Sequence, residues 1–324
     1  MTRQHIPQPV LDAAHARAAA RAAQDWPEAD RLRAEIEAAG WKVVDRGTDF
    51  ALSPAALPDE VDGPRVRYGS SASVPSRFEE PTSGVATIVL LATDWPDDLA
   101  RTLAGLAASA ADGTSIVIVA DAPSEAQTGS LDALADRDDT EIVWTSARLG
   151  HAAATNIGLR RATAPIVVLL DTSVEPTGDI VTPLVTALED PTVAVAGGWG
   201  IVSDDLRSFE EAPAGDVDVI EGYAMAFRRS DAAARGPLDE RFRFYRNLDI
   251  WWSLVLRDEG EGGPPRRAVR VDGLPIERHE HRGYSSLPDD ERDRQSKRNF
   301  YRIIDRFGWR RDLLTRGVID PPEA

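Results

Sequence analysis

From Val85 onward, short apolar runs alternate with segments whose apolar residues recur every three to four positions. Val85–Ala92, Ile116–Ala120, Glu141–Thr145 and Ile166–Leu170 read as strands. Asp97–Ala110, with Leu99, Leu103 and Leu106 on one face, reads as a helix, as do Ser124–Ala135 and His151–Arg161. Such alternation predicts an α/β domain with a mostly parallel sheet. Val193–Gly198 and Ile220–Phe227 extend the strand series, and Leu248–Asp258 and Pro288–Arg306 supply later helices. The run Ile166-Val-Val-Leu-Leu ends directly in Asp171. The C-terminal ends of strands in open α/β sheets are where ligands bind.

The first part of the chain has a different texture. Residues 8–51 are Ala-rich and helical in pattern, with Val10, Leu11, Leu32, Ile36 and Trp41 as apolar positions. Pro27 suits the first turn of a second helix and Gly40 its C-terminal cap. Trp41 to Leu52 then reads as a hairpin turning at Arg46-Gly47. Residues 53–83, with Pro54, Pro58, Pro64, Pro75 and Pro81, have the composition of a linker. The expected organisation is a helical hairpin module over 1–52, a linker over 53–83, the α/β domain over 84–316 and a tail over 317–324.

Composition narrows the chemistry. With no cysteine among 324 residues, thiolate metal sites, disulfides and cysteine nucleophiles are excluded. No apolar run approaches membrane-spanning length and the N-terminus lacks an apolar signal core, so a cytoplasmic protein with no transmembrane segment is expected, peripheral membrane association remaining compatible. A formal charge of −17 argues against nonspecific nucleic-acid binding. The charge is uneven, because residues 264–316 carry 14 Lys/Arg against 9 Asp/Glu. That basic stretch could cover an anionic ligand, although a solvated helix face is the commoner explanation.

Five constellations carry candidate chemistry. Asp121 ends the strand Ile116–Ala120, where it could bind a nucleobase or ribose or simply start a turn. Gly150 to Gly158, with Asn156 between them, is rich in small residues; it suits close helix packing or an anion at a helix N-terminus. Asp171-Thr-Ser173 follows the Ile166–Leu170 strand. Gly236-Pro-Leu-Asp239-Glu240 leads into Tyr245-Arg-Asn247-Leu-Asp249-Ile-Trp251-Trp252, where a helix-start carboxylate could act as a base and the tryptophans read as core anchors. His279-Glu-His281, on an extended segment, would point both imidazoles to one face in a geometry compatible with metal. Arg282, Lys297 and Arg298 nearby could neutralise a diphosphate.

Taken in order, these motifs resemble the family-2 glycosyltransferases of the GT-A fold, over about residues 85–307. The resemblance implies a Rossmann-like, mostly parallel central sheet. It also implies a nucleotide-sugar donor, a hydroxyl acceptor (glycan, lipid carrier or small molecule) and a divalent cation, Mg or Mn, on the donor diphosphate. Carried over, Asp121, Asn156, Asp171, Ser173 and Arg298 would contact the donor. Asp171, His281 and His279 would hold the metal. Two departures stand out. Ser173 replaces the second carboxylate of an Asp-X-Asp motif, and a hard cation prefers anionic oxygen. Arg246-Asn247 stands where the family has Glu-Asp, and an amide cannot accept the acceptor's proton. Asp249 is then the nearest substitute base, facing elsewhere if Asn247 lies on the same helix.

These departures motivate an alternative, a non-catalytic GT-A scaffold that binds a sugar nucleotide, glycan or protein. Separately, residues 17–48 resemble the C-terminal helical tail of cysteinyl-tRNA synthetases. That would imply an RNA-associated factor, while the near-neutral charge of the segment favours a docking module.

Overall fold

The computed structural model describes residues 6–46, 49–109, 111–135, 137–260 and 263–316. The chain divides into two units, Met1–Asp59 and Glu60–Ala324. In the first, helices Gln8–Ala22 and Trp26–Ala38 pack around Val10, Ala14, Leu32, Ile36 and Trp41. Asp25 caps the second helix by accepting from the Glu28 amide, and Gly40 follows it with φ +78°. Strands Trp41–Arg46 and Asp49–Pro54 pair antiparallel. Gly47, half of the expected turn, lies outside the described residues. Arg17, 4% exposed, is neutralised by Asp45 at 2.6 Å.

The second unit is built on a ten-stranded sheet. In spatial order its strands are Gly215–Val217, Arg267–Arg270, Val193–Gly197, Ala224–Arg228, Ile166–Leu170, Ala86–Ala92, Thr114–Ala120, Thr140–Thr145, Arg65–Tyr68 and Glu60–Asp62. The five from Ile166–Leu170 to Arg65–Tyr68 run parallel. Alternate residues of the central strands enter opposite layers. Ile88, Leu90, Ile116 and Ile118 pack on one side, Val89, Val117 and Val119 on the other. Burial on both faces is why these strands read as continuous apolar runs rather than alternating ones.

Two expectations change. Ile220–Phe227 is broken at Glu221–Tyr223, leaving Ala224–Arg228 as an antiparallel strand between Ile166–Leu170 and Val193–Gly197. The 53–83 segment is not an unpacked linker. Arg65–Tyr68 joins the sheet, Val74 is 1% exposed and Ser71 hydrogen-bonds Glu240. Arginines offset the low apolar content there: Arg65 stacks 3.9 Å from the Trp144 ring centroid and Arg160 binds the Val74 carbonyl. The 317–324 tail lies outside the described residues.

Candidate functional site

The interior strand Ile166–Leu170 delivers Asp171 at its C-terminal end, and an Asx-type turn fixes its carboxylate. Oδ1 accepts from the Ser173 amide at 2.8 Å and from the Ser173 hydroxyl at 2.5 Å. From the opposite side, Thr102 donates its hydroxyl to the Val174 carbonyl at 2.7 Å and the Thr172 carbonyl at 3.1 Å. The free Oδ2 lies 3.2 Å from His281 Nε2. Burial pushes the Asp171 acid up, but His281 and the Ser173 donors outweigh it and hold it at about 2. Burial likewise opposes protonation of His281, and the Asp171 carboxylate outweighs it, raising the imidazole.

His281 is also the cap of the short helix Arg282–Ser285, its Nδ1 accepting from the Tyr284 amide at 3.1 Å. Tyr245 covers its face in a stacked contact at 4.2 Å and 15°. An outer cleft opens here, lined by Asp94, Trp95, Arg148, Thr172, Arg243, Phe244 and Arg282. Beneath it lies a chamber of about 80 Å³, bordered by Asp171, His281, Tyr223, Tyr245, Asp249 and His151. Trp252, 1% exposed, also borders the chamber, and among the described residues its indole N–H has no acceptor.

Asp249 enters that chamber because the helix Leu248–Arg257 starts after Asn247, which takes a left-handed φ of 68°. Asn247 is therefore outside the helix, and the rotation expected to separate the two does not apply. Asp249 Oδ2 accepts from the Gly222 amide at 3.0 Å and Oδ1 from the Ile250 amide at 2.9 Å. Burial raises its acid above the usual range against these two bonds. Asn247 instead donates to the Ser296 carbonyl at 3.0 Å and lines neither cavity. Trp251 and Trp252 are core anchors, 6% and 1% exposed.

Asp121 borders the outer cleft beside Asp171, but several candidates have their polar groups engaged within the chain. Asp121 is 3% exposed, and both its oxygens serve the chain. Oδ1 accepts from the Leu149 amide at 2.8 Å and from Thr145 Oγ1 at 3.2 Å, and Oδ2 from the Gly150 amide at 3.2 Å. The N-terminus of His151–Arg161 is thus already satisfied by an internal carboxylate, with the His151 and Ala152 amides donating to the Arg243 and Phe242 carbonyls. Asn156 clamps the Gly236–Glu240 loop, accepting from the Leu238 amide at 2.8 Å and donating to the Leu238 carbonyl and Glu240, each at 3.0 Å. Gly158 carries the close packing, since a Cβ there would lie 2.2 Å from Val89 Cγ1.

His279 and His281 do not share a face. The strand Ile276–Arg278 ends before them, and His279 turns to Glu175 at 2.8 Å. With Glu277 it forms a separate group whose ligand atoms lie within 4.8 Å of one another. Arg298 is exposed on the helix Asp289–Phe307, outside the cleft; Arg282, Arg148 and Arg243 are the cations that reach it. Tyr245 is the contributor that spacing alone did not single out.

The donor set at Asp171 fits a divalent cation. A carboxylate oxygen and an imidazole nitrogen 3.2 Å apart match adjacent ligands of one ion. A cation on Nε2 would require the neutral imidazole with its proton on Nδ1. The Tyr284 amide keeps an acceptor, the His281 carbonyl at 2.9 Å.

Residues 87–242 match the family model for glycosyl transferase family 2. That match covers a little under half of the chain. Two solved structures share its fold. GalNAc-T7, determined with UDP, GalNAc and Mn2+, is 15% identical with a TM-score of 0.58, over 69% of this chain and 48% of that one. This chain thus spans about half the length of that structure. The mannosyltransferase PcManGT from Pyrobaculum calidifontis, determined with GDP-Man and Mn2+, is 19% identical with a TM-score of 0.52, over 72% and 67%. No curated protein matches the sequence. Among the described residues no helix is long and apolar enough to cross a membrane.

Proposed function

We propose that this chain is a glycosyltransferase that transfers a hexosyl or deoxyhexosyl group from a nucleotide-diphosphate donor to a hydroxyl acceptor. The observation that carries the reading is the Asp171–His281 pair at the strand end of a family-2 domain. Asp171 Oδ2 and His281 Nε2 would hold Mg or Mn, which supplies charge neutralisation for the departing diphosphate. Arg148, Arg243 and Arg282 bring cations to the same cleft. Tyr245 fixes the imidazole plane and walls the cleft. Asp249 is the proposed base: its raised acid makes it a better proton acceptor than an ordinary surface aspartate. The boundaries follow the two units, with the transferase unit beginning near Glu60.

Donor turnover tests this reading. Transfer or donor hydrolysis should be lost in Asp171→Ala and fall by at least about a hundredfold in Asp249→Asn, the usual scale for removing a general base. A second reading, a binding scaffold without turnover, is favoured by one observation. The Ser173 hydroxyl and the Asn247 amide are both spent within the chain. Donor binding without turnover across acceptor classes would support it. For the N-terminal module we propose docking; salt-sensitive tRNA binding by the full chain would favour the RNA-associated reading instead.

A further inference from the structure

Outside the cleft, a recess of about 410 Å³ opens between the helix Asp289–Phe307, the helix Leu248–Arg257 and the 236–241 loop, with Trp251 and Val255 among its lining residues. Arg302 and Arg306 line it one helical turn apart. Both guanidinium groups rest on aromatic rings. Arg306 lies 4.9 Å from the Trp251 centroid and 5.0 Å from that of Phe307, and Arg302 lies 5.5 Å from that of Phe242. Arg302 also donates to Asn299 Oδ1 at 3.1 Å.

The charge balance there runs against the rest of the chain. The other two arginines of the recess are neutralised: Arg241 grips Asp239 at 2.6 Å and Arg235 grips Glu259 at 2.6 Å. Among the described residues no carboxylate is within ion-pair distance of Arg302 or Arg306, although exposed Asp305 also borders the recess. Burial, with smaller contributions from the charges of Arg241 and Arg298, lowers the Arg302 guanidinium from its ordinary value, and the nearby Asp239 only partly opposes this. In a chain of net charge −17, two unpaired arginines held against rings are out of balance. Each such fork has lost much of its rotamer freedom and can still present N–H donors beyond the ring edge.

We propose that this recess binds the phosphate group of a small phosphorylated molecule, clamped between Arg302 and Arg306. A concave recess admits a compact oxyanion and excludes a flat bilayer surface. The site is separate from the Asp171 cleft and does not depend on the transferase reading. Trp252 borders both the recess and the inner chamber, so an occupant would lie one side chain from the reaction site.

Calorimetry on the full chain at constant ionic strength, with orthophosphate and with glycerol 3-phosphate, tests the proposal. A dissociation constant on the order of 1 mM or tighter is expected for at least one of them. Tighter binding of glycerol 3-phosphate identifies an organic ester as the occupant; equal binding identifies free phosphate. Arg302→Gln and Arg306→Gln should each weaken binding by about tenfold with unchanged melting temperature, and Arg302→Lys by less. If one variant unfolds, the other still decides. Binding should survive in Asp171→Ala and under saturating nucleoside diphosphate. No heat with either ligand, equal binding by both Gln variants, or loss in Asp171→Ala would overturn it.

Discussion

His281 Nε2 stands 3.2 Å from Asp171 Oδ2, bringing the last candidate motif of the chain back to the end of the strand Ile166–Leu170. The other Asp171 oxygen is saturated by Ser173, so one oxygen and one nitrogen remain to meet a ligand. In an NMR titration with Mn2+, the His281 ring signals should broaden before those of His279, which Glu175 holds in a different group. Broadening of His279 first would place the cation on the Glu175–Glu277–His279 group.

His151 gives a pH signature. Burial lowers its imidazole to about 4, against an ordinary value near 6.5. The unfolded chain therefore binds the proton first, and the penalty on the folded state grows as pH falls from about 6.5 toward 4, where it saturates. Above pH 6.5 this residue contributes no pH dependence. His151→Gln should flatten the wild-type stability curve across that window, removing about 1–3 kcal/mol of acid loss in urea melts. Parallel curves would contradict the assignment.

Asn156 holds the Gly236–Glu240 loop with three hydrogen bonds inside the core. Asn156→Ala leaves the Leu238 amide and carbonyl unpaired and should cost about 2–4 kcal/mol. Because Leu238 borders the inner chamber, faster amide exchange at 237–240 should accompany the loss. A loss of stability without faster exchange there would mean that the clamp does not order the loop.

Gly158 sets how closely the helix His151–Arg161 lies on the strand Ala86–Ala92. Gly158→Ala gains helix propensity of about 1 kcal/mol but drives a methyl into Val89, with overpacking costs of about 1–3 kcal/mol. Net destabilisation is expected, relieved in the double variant Gly158→Ala with Val89→Ala. A more stable single variant would refute the contact.

The sequence made the sheet and the strand-end aspartates legible because Val, Ile and Leu runs buried on both faces leave few alternatives. Ile166–Leu170 and His151–Arg161 fall where periodicity put them. Site roles were less legible because spacing cannot say which partner a polar group finds. Asp121 and Asn156 stand at the expected strand end and in the expected small-residue helix, yet the backbone absorbs their hydrogen-bonding capacity. Asn247 was the sharpest case. One left-handed residue moves the helix start and decides that Asp249, not Asn247, faces the chamber. The Arg65–Tyr68 strand escaped notice because it is short, half polar and set among prolines.

The central claim, a donor diphosphate held at Asp171 with a divalent cation, is tested most directly by calorimetry of UDP and GDP on the full chain, with and without Mn2+. At least one nucleotide should bind about tenfold or more tightly with Mn2+, and Asp171→Ala should abolish that gain. Binding of neither nucleotide under either condition, or a Mn2+ gain that survives Asp171→Ala, would contradict it.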